Sequence, residues 1–264
     1  MNENDYVSLV LLTYLRPDYT QKSISSLLSA KNKTPYELIV CDDGSRDANW
    51  TMLLQAARAK NLSSAFINAG QNMGVGTNMQ RGFQAAQGKY ICKLDADLIY
   101  KDGWMDAGVE LLEKFPNVGV VGFFDYRNYT PDDDRFTPID ELRVDNRVAG
   151  YTVTDFVGSA FMIRRDDYLQ YGVMGVEWHG GGMATIPDVT KFRWRGFETG
   201  SAAFAEDIEW KKRMESLGYK LAITTPDLIE NIGFGLGRST VVVVENGKPV
   251  VTKVHLTPYL LGKK

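Results

Sequence analysis

The chain is poor in the residues that build many functional sites. It has only two histidines and two cysteines in 264 residues. Both cysteines, Cys41 and Cys92, sit inside apolar runs (LIVCDD and YICKLD), and no CxxC or Cys/His cluster occurs. That argues against a structural zinc site and against a disulfide scaffold, and for reduced, buried strand cysteines. No apolar run approaches the roughly 18 residues of a membrane span. The N-terminal stretch MNENDYVSLVLLTY is acidic before its apolar part and has no basic n-region or cleavage signature. A cytoplasmic enzyme is the simplest expectation. Basic residues are not in excess: 30 Lys and Arg stand against 33 Asp and Glu, a net charge of -3. Charge therefore gives no support to nucleic acid as the main partner. The apolar fraction of 44% is that of a soluble globular protein, and the length allows a substantial core without disulfides.

What is present is an alternation of short apolar runs and helical patterns. Residues 6–12 (YVSLVLL) read as a buried strand, followed by a loop with Arg16-Pro17 and a helix bearing Ile24, Leu27 and Leu28 on one face. Residues 37–41 (ELIVC) are a second strand, 50–60 a helix and 64–68 a third strand. Val75, Met79, Phe83 and Ala86 fall at helical spacing. Residues 89–94 (KYICKL) form a fourth strand that runs into Asp95. Further strands are expected at 118–124 and 156–163, and a helix at 205–217. Asn246-Gly247 between apolar runs signals a hairpin. The pattern predicts an α/β fold with a mainly parallel, Rossmann-like sheet and helices on both faces, plus a C-terminal β-hairpin. A single domain over 1–264 is expected, made of a first half at 1–100, a second half at 101–235 and the hairpin extension at 236–264.

Ligands of such sheets bind beyond the carboxyl ends of the strands. Thr13-Tyr14, Asp42-Asp43 and Asp95-Asp97 all lie there, far apart in sequence and converging in space. Asp95-Ala96-Asp97 places two carboxylates on one face of an extended segment, where both can address one cation. Oxygen ligands of this kind suit Mg²⁺ or Mn²⁺, which also take substrate phosphates. Taken alone, a DxD triplet is more often a solvated turn; its place after the fourth strand reverses that. Asp42-Asp43-Gly44-Ser45 reads equally well as a plain turn or as a ribose or base contact. Glu206-Asp207 opens a helix, where acidic residues suit the dipole, but a carboxylate in a pocket is also a general base. Gly74-Val75-Gly76 is not a dinucleotide fingerprint, since Met79 stands where its third glycine belongs. His179 and His255 are more readily explained by surface or packing roles.

With these residues assembled, the chain resembles family 2 of the glycosyltransferases, enzymes of the GT-A fold. The matching segments are VSLVLLTYLRP, YELIVCDDGSRD, NMGVGTNMQRGFQAAQGKYICKLDAD, FVGSAFMIRRD and AEDIEWKKRMESLGYK, in the family's order, over roughly residues 6–235. The resemblance implies that Thr13, Tyr14 and Arg16 line a nucleotide pocket, that Asp43 meets the base, and that Gly74 and Asn78 lie near the nucleotide. It implies that Asp95 faces the ribose and metal shell and that Asp97 holds the metal. Asp207 matches the base that deprotonates the acceptor in inverting members, supported by Glu206. Gly158 and Ser159 would edge the acceptor side. Two departures stand out. Many members carry a histidine metal ligand in a segment like IENIGFG, where this chain has Asn231, so either Asn231 or His255 completes the metal set. An Arg-Asn pair common in the family is replaced by Gln80-Arg81.

The function so implied is metal-dependent, inverting transfer of a sugar from a nucleotide diphosphate sugar, UDP being the commonest carrier, to a hydroxyl acceptor. Polysaccharide, lipid-linked sugar, protein and modified DNA base all remain open as acceptors. The Gly- and aromatic-rich stretch at 172–204, with Trp178 and Trp194, suits stacking on a sugar or a base. A nucleotidyltransferase on a similar sheet would carry a glycine-rich basic loop after the first strand, which LLTYLRP lacks. A non-catalytic nucleotide-sugar binding module would bind donor without transfer; the intact Asp95, Asp97 and Asp207 argue against it.

Overall fold

The structure is a computed structural model that describes residues 5–45, 64–68, 75–124, 147–148, 151–154, 157, 160–171, 177–178, 184–185, 193–194, 197–198, 214–233, 239–245 and 248–254. Its first half follows the alternation read from the sequence. Strand β1 (Val7–Thr13) leads through helix α1 (Pro17–Ser29) to β2 (Tyr36–Asp42) and then β3 (Ser64–Asn68). Helix α2 (Val75–Ala85) precedes β4 (Tyr90–Asp95) and the short β5 (Leu98–Tyr100). Helix α3 (Trp104–Lys114) and β6 (Val118–Gly122) follow. The second half supplies β7 (Arg147–Val148), β8 (Tyr151–Thr154), β9 (Phe161–Arg164) and helix α4 (Arg165–Tyr171). Two small antiparallel ladders join β10 (Glu177–Trp178) to β11 (Ala184–Thr185) and β12 (Arg193–Trp194) to β13 (Phe197–Glu198). Then come β14 (Lys220–Thr224), β15 (Ile229–Asn231) and the antiparallel pair β16 (Ser239–Glu245) and β17 (Lys248–Val254). The register of that last pair sets Glu245 opposite Lys248, and Asn246-Gly247, read as the hairpin signal, lies outside the described residues.

Nine strands form the main sheet, in the order β3-β2-β1-β4-β9-β6-β14-β8-β7. The run β3-β2-β1-β4 is parallel throughout. Strand β9 enters antiparallel between β4 and β6, and β8 pairs antiparallel with β14. The sheet is therefore mixed rather than purely parallel, as many large α/β sheets are. One expected boundary is wrong. The apolar stretch at 156–163 does not run as one strand, because pairing begins only at Phe161. Apolarity there reports burial, and Val157 and Ala160 are buried ahead of the strand.

Each face of the sheet carries its own core, which places helices on both faces. On one face Ile24 and Leu27 of α1 and Trp104, Met105 and Leu111 of α3 pack with Leu9, Leu11, Leu38, Val40, Cys92 and Leu94. On the other, Met79 and Phe83 of α2 and Tyr168 of α4 pack with Val10, Leu12, Ile39, Cys41 and Ile91. The alternation of strand side chains explains the split. Phe83 meets Tyr168 edge-on at 5.3 Å, and Trp104 meets Phe123 edge-on at 5.0 Å, geometries favoured by the ring quadrupole. Both cysteines are free and buried. Burial pushes the Cys41 thiol up to about 12 and Cys92 well above its ordinary value, so neither is a thiolate nucleophile near neutral pH.

Close approach of α2 to the sheet depends on Gly82. A Cβ there would lie 2.3 Å from Val10 Cγ1 and 2.8 Å from Cys41 Sγ. Those atoms belong to short, fully packed strand residues that cannot rotate away. Gly82→Ala is expected to lower stability by about 1–3 kcal/mol despite alanine's better helix propensity. Urea unfolding followed by circular dichroism measures this, and an unchanged or higher midpoint would contradict the packing described.

Candidate functional site

The site lies where strand order reverses, with β1 flanked by β2 on one side and β4 on the other. Parallel pairing brings three carboxyl ends level: Thr13 is in register with Asp42, and Leu12 with Asp95. Ligands of open α/β sheets bind at such a switch point.

The loop after β1 is held in an unusual backbone shape. Leu15 and Arg16 have φ of 52 and 60°, in the left-handed region that non-glycine residues seldom adopt. Two backbone-donated hydrogen bonds and a proline hold it. The Leu15 amide donates to Ser45 Oγ at 2.7 Å, the Asp43 amide donates to the Thr13 carbonyl at 2.9 Å, and Pro17 starts α1 directly after Arg16. The Thr13 hydroxyl donates in turn to Asp42 Oδ2 at 2.9 Å. Strained residues that persist in this way cluster at functional sites. The result is that Arg16 turns back across the strand ends, with its guanidinium 4.1 Å from the Tyr19 ring centre.

The two residues of the Asp42-Asp43 pair have separate tasks. Asp42 is fully buried, and its Oδ1 accepts from the amides of Gly44 and Ser45 at 3.1 and 2.7 Å. With the Thr13 hydroxyl on Oδ2, this carboxylate is a structural hub of the loop. Asp43, the residue expected to meet a base, is also buried and lies directly beyond the strand end. Asn78, on α2, donates through Nδ2 to the Cys41 carbonyl at 2.7 Å, while its buried Oδ1 has no hydrogen-bond partner. Tyr14 is partly buried in the same corner.

Of the DxD carboxylates, Asp95 ends β4 and Asp97 lies in the turn between β4 and β5. Arg16 Nη1 donates to Asp97 Oδ2 at 3.0 Å, while its buried Nε and Nη2 have no hydrogen-bond partner. Lys93, two residues before Asp95 on the same strand face, places its Nζ 2.7 Å from Asp95 Oδ1. Burial, then repulsion from Asp95, raises the Asp97 carboxyl above the ordinary range, against the opposing pull of Arg16 and Lys93. A carboxylate desolvated beside another carboxylate is poised for additional positive charge.

The segment after β14 closes the far side. Strand β15 pairs with β5 so that Asn231 lies opposite Leu98, and the Ile232 amide donates to the Asp97 carbonyl at 2.9 Å. Asn231 Oδ1 accepts from the Gly233 amide at 2.8 Å. A Cβ on Gly233 would lie only 2.0 Å from Asp97 Oδ2 and 3.2 Å from Asn231 Oδ1. Asn231, the residue standing where a histidine was expected, is therefore at the carboxylate pair. The donor set of two carboxylates and a neighbouring amide oxygen fits a hard divalent cation. The orphaned Arg16 nitrogens beside it fit an anionic group. Among the described residues no group of three or more His, Cys, Asp or Glu gathers at one point. Gly74, Gly158, Ser159, Glu206, Asp207 and His255 lie outside the described residues, as do the expected helix at 50–60, most of that at 205–217, and most of the Gly-rich stretch. Sequence reasoning passed over Lys93 and Gly233. A lone lysine in an otherwise apolar strand, two residues before a carboxylate, was the signal for the first; for the second, only the surrounding glycines hinted at close approach.

The chain is similar to known proteins. Residues 8–172 match the family model "Glycosyl transferase family 2", and the chain belongs to that family. It is 29% identical over 118 residues to an "uncharacterized glycosyltransferase" of Haemophilus influenzae, covering 45% of this chain and 36% of that one. An uncharacterized protein of Mycobacterium tuberculosis is 23% identical over 278 residues, covering 97% of this chain and 77% of the relative. Among solved structures, the mannosyltransferase PcManGT of Pyrobaculum calidifontis, in complex with GDP-Man and Mn²⁺, superposes with a TM-score of 0.60 at 16% identity, over 86% of this chain and 56% of that one. The chain thus spans about a third of the first relative and about half of the structural neighbour. The fold is GT-A.

Because Asp42 is a hub, Asp42→Ala is expected to cost about 3 kcal/mol, since it leaves the half-buried Gly44 amide, the buried Ser45 amide and the Thr13 hydroxyl without their acceptor. Asp42→Asn keeps an acceptor for the amides and should cost markedly less. Chemical denaturation of both variants checks this, and equal losses would mean the carboxylate is not the hub of the loop.

Proposed function

We propose that the chain is a metal-dependent, inverting glycosyltransferase that moves a sugar from a nucleotide diphosphate sugar to a hydroxyl acceptor. The observation that carries this reading is the charge arrangement at the switch point. Asp97, raised by burial and by Asp95, faces Arg16, whose two remaining buried nitrogens have no hydrogen-bond partner. Such a site suits a ligand that brings a divalent cation and a diphosphate together. Family membership and a structural neighbour holding GDP-Man and Mn²⁺ support the same reading.

In this reading, Asp97 and the Asn231 amide oxygen would hold Mn²⁺ or Mg²⁺, with Asp95 shared between the ribose and the metal's water. The ion would supply Lewis-acid stabilisation of the departing diphosphate. Arg16 adds protein charge to the same leaving group, donating through Nε and Nη2. Thr13, Tyr14, Asp43 and Asn78 would line the base and ribose end, and the family resemblance assigns Gly74 to the nucleotide as well. Asp207 accepts the proton of the acceptor hydroxyl as its oxygen attacks the anomeric carbon from the face opposite the diphosphate, and Glu206 supports it. One displacement of this kind inverts the anomeric configuration. Uridine is the commonest donor base and guanosine the one in the structural neighbour's complex, so both are candidates. Among the described residues no helix is long and apolar enough to cross a membrane.

Asp207→Asn tests the division of labour. Donors are first identified by thermal shift with UDP- and GDP-sugars in the presence of Mn²⁺. The variant is then expected to bind the stabilising donor within about threefold of wild type, while transfer falls by a factor of about a thousand or more, within the range expected for a general base. Unchanged turnover would remove Asp207 from the mechanism, and absence of a Mn²⁺-dependent shift with every donor would overturn the reading itself.

A further inference from the structure

The two carboxylates of the DxD triplet are paired with different cations, and the difference is built into the fold. Asp97 meets Arg16, which is anchored on a loop and is a quarter exposed. Asp95 meets Lys93, which projects from the middle of the main sheet with a side chain only 3% exposed. Lys93 is in register with Val10 on one side and Phe161 on the other. Its strand-face neighbours Val10, Ile91 and Phe161 belong to the apolar core beneath α2. A buried ammonium needs a counter-charge and hydrogen-bond acceptors. The lysine stem, hemmed in by the core, can deliver its ammonium only along the strand toward the carboxyl end. There Oδ1 of Asp95 receives it at 2.7 Å, while 27% of the Asp95 side chain stays exposed.

We propose that Lys93 is a positioning residue that makes the DxD carboxylates unequal. Its ammonium holds Oδ1 of Asp95, which leaves that carboxylate one free oxygen for a ribose hydroxyl or a metal-bound water and keeps it out of direct coordination. Inner-sphere contact with the cation then falls to Asp97. The same charge bookkeeping links metal to nucleotide. With Lys93 on Asp95 and Arg16 on Asp97, two positive and two negative charges cancel, so the free protein attracts a divalent cation weakly. A diphosphate that takes over Arg16 releases Asp97 and brings its own negative charge, so metal and nucleotide enter together. This inference rests on the metal-diphosphate reading of the site and adds to it a residue and an order of affinities.

Electron paramagnetic resonance of free Mn²⁺ tests it, with Mn²⁺ alone and with Mn²⁺ plus UDP or GDP, on wild type, Lys93→Met and Lys93→Arg. Methionine matches the stem and removes the charge, and arginine keeps the charge. Wild type is expected to bind Mn²⁺ weakly alone and tightly with the nucleotide. Lys93→Met should bind Mn²⁺ alone about tenfold more tightly, because a unit charge has been removed next to the carboxylates. It should also lose most of the nucleotide's enhancement, and Lys93→Arg should restore the wild-type pattern. If Lys93→Met does not fold, Lys93→Met/Asp95→Asn removes the unpaired carboxylate as well. Relative to Asp95→Asn, that double variant should bind Mn²⁺ alone more tightly, because the Lys93 charge that also acts on Asp97 is gone, but it should show the same nucleotide enhancement, since a positioning residue has no task once its carboxylate is gone. Wild-type Mn²⁺ and nucleotide binding in Lys93→Met, or a nucleotide enhancement that differs between the double variant and Asp95→Asn, would overturn the role of Lys93 alone. No nucleotide-linked Mn²⁺ binding in wild type would instead overturn the reading beneath it.

Discussion

Strand β1 is the constraint on which the rest of the structure depends. All of its residues are buried, its side chains feed the cores on both faces, and its two edges pair in parallel with β2 and β4. A strand held on four sides has no freedom of register, because a slip by one residue would exchange its two faces. Its end at Thr13 is therefore a fixed point. From it the chain sets Asp42 through a side-chain hydrogen bond, Ser45 through the Leu15 amide, and Asp95 through the ladder with β4. Residues from three distant segments reach one place because three parallel strands stop at one level.

At that place the protein gathers charges that do not favour its own stability. Asp97 is desolvated beside Asp95, and its carboxyl is raised in consequence. Arg16 stands in a left-handed backbone conformation with two buried nitrogens lacking hydrogen-bond partners. Each feature is unfavourable in isolation. Together they make sense as a pre-arranged receptor, since a ligand carrying both a cation and a diphosphate would satisfy the carboxylates and the guanidinium at once. Gly233 belongs to the same arrangement, because only a residue without a side chain leaves Asp97 its position.

Much of this was legible in the chain itself. The apolar runs that became β1, β2 and β4 were readable because strands buried on both faces are built mostly of apolar residues. The spacing of Met79, Phe83 and Ala86 revealed α2 because one helix face alone meets the sheet. The convergence of Thr13, Asp43, Asp95 and Asp97 followed from parallel order. What stayed hidden depended on partners distant in sequence. The entry of β9 between β4 and β6 and its start at Phe161 are set by pairing, which apolarity does not report. Strands β5 and β15 are too short to show a period, yet their ladder brings Asn231 to Asp97. Asp42 and Asp43 look alike in sequence, and only the donors around Asp42 separate them. Lys93 sits within the strand read at 89–94, and only its acceptor, Asp95, marks it as part of the site.

The central claim is that the carboxylates after β4 hold a nucleotide diphosphate through a divalent cation. Calorimetric titration of wild type and Asp97→Ala with UDP and with GDP, each in Mn²⁺ and in EDTA, tests it most directly. The expected result is one nucleotide bound per chain in Mn²⁺, with affinity falling at least about tenfold both in EDTA and in Asp97→Ala, a loss of about 1.4 kcal/mol or more. Equal affinity in Mn²⁺ and EDTA, or an Asp97→Ala protein that binds as wild type does, would contradict it.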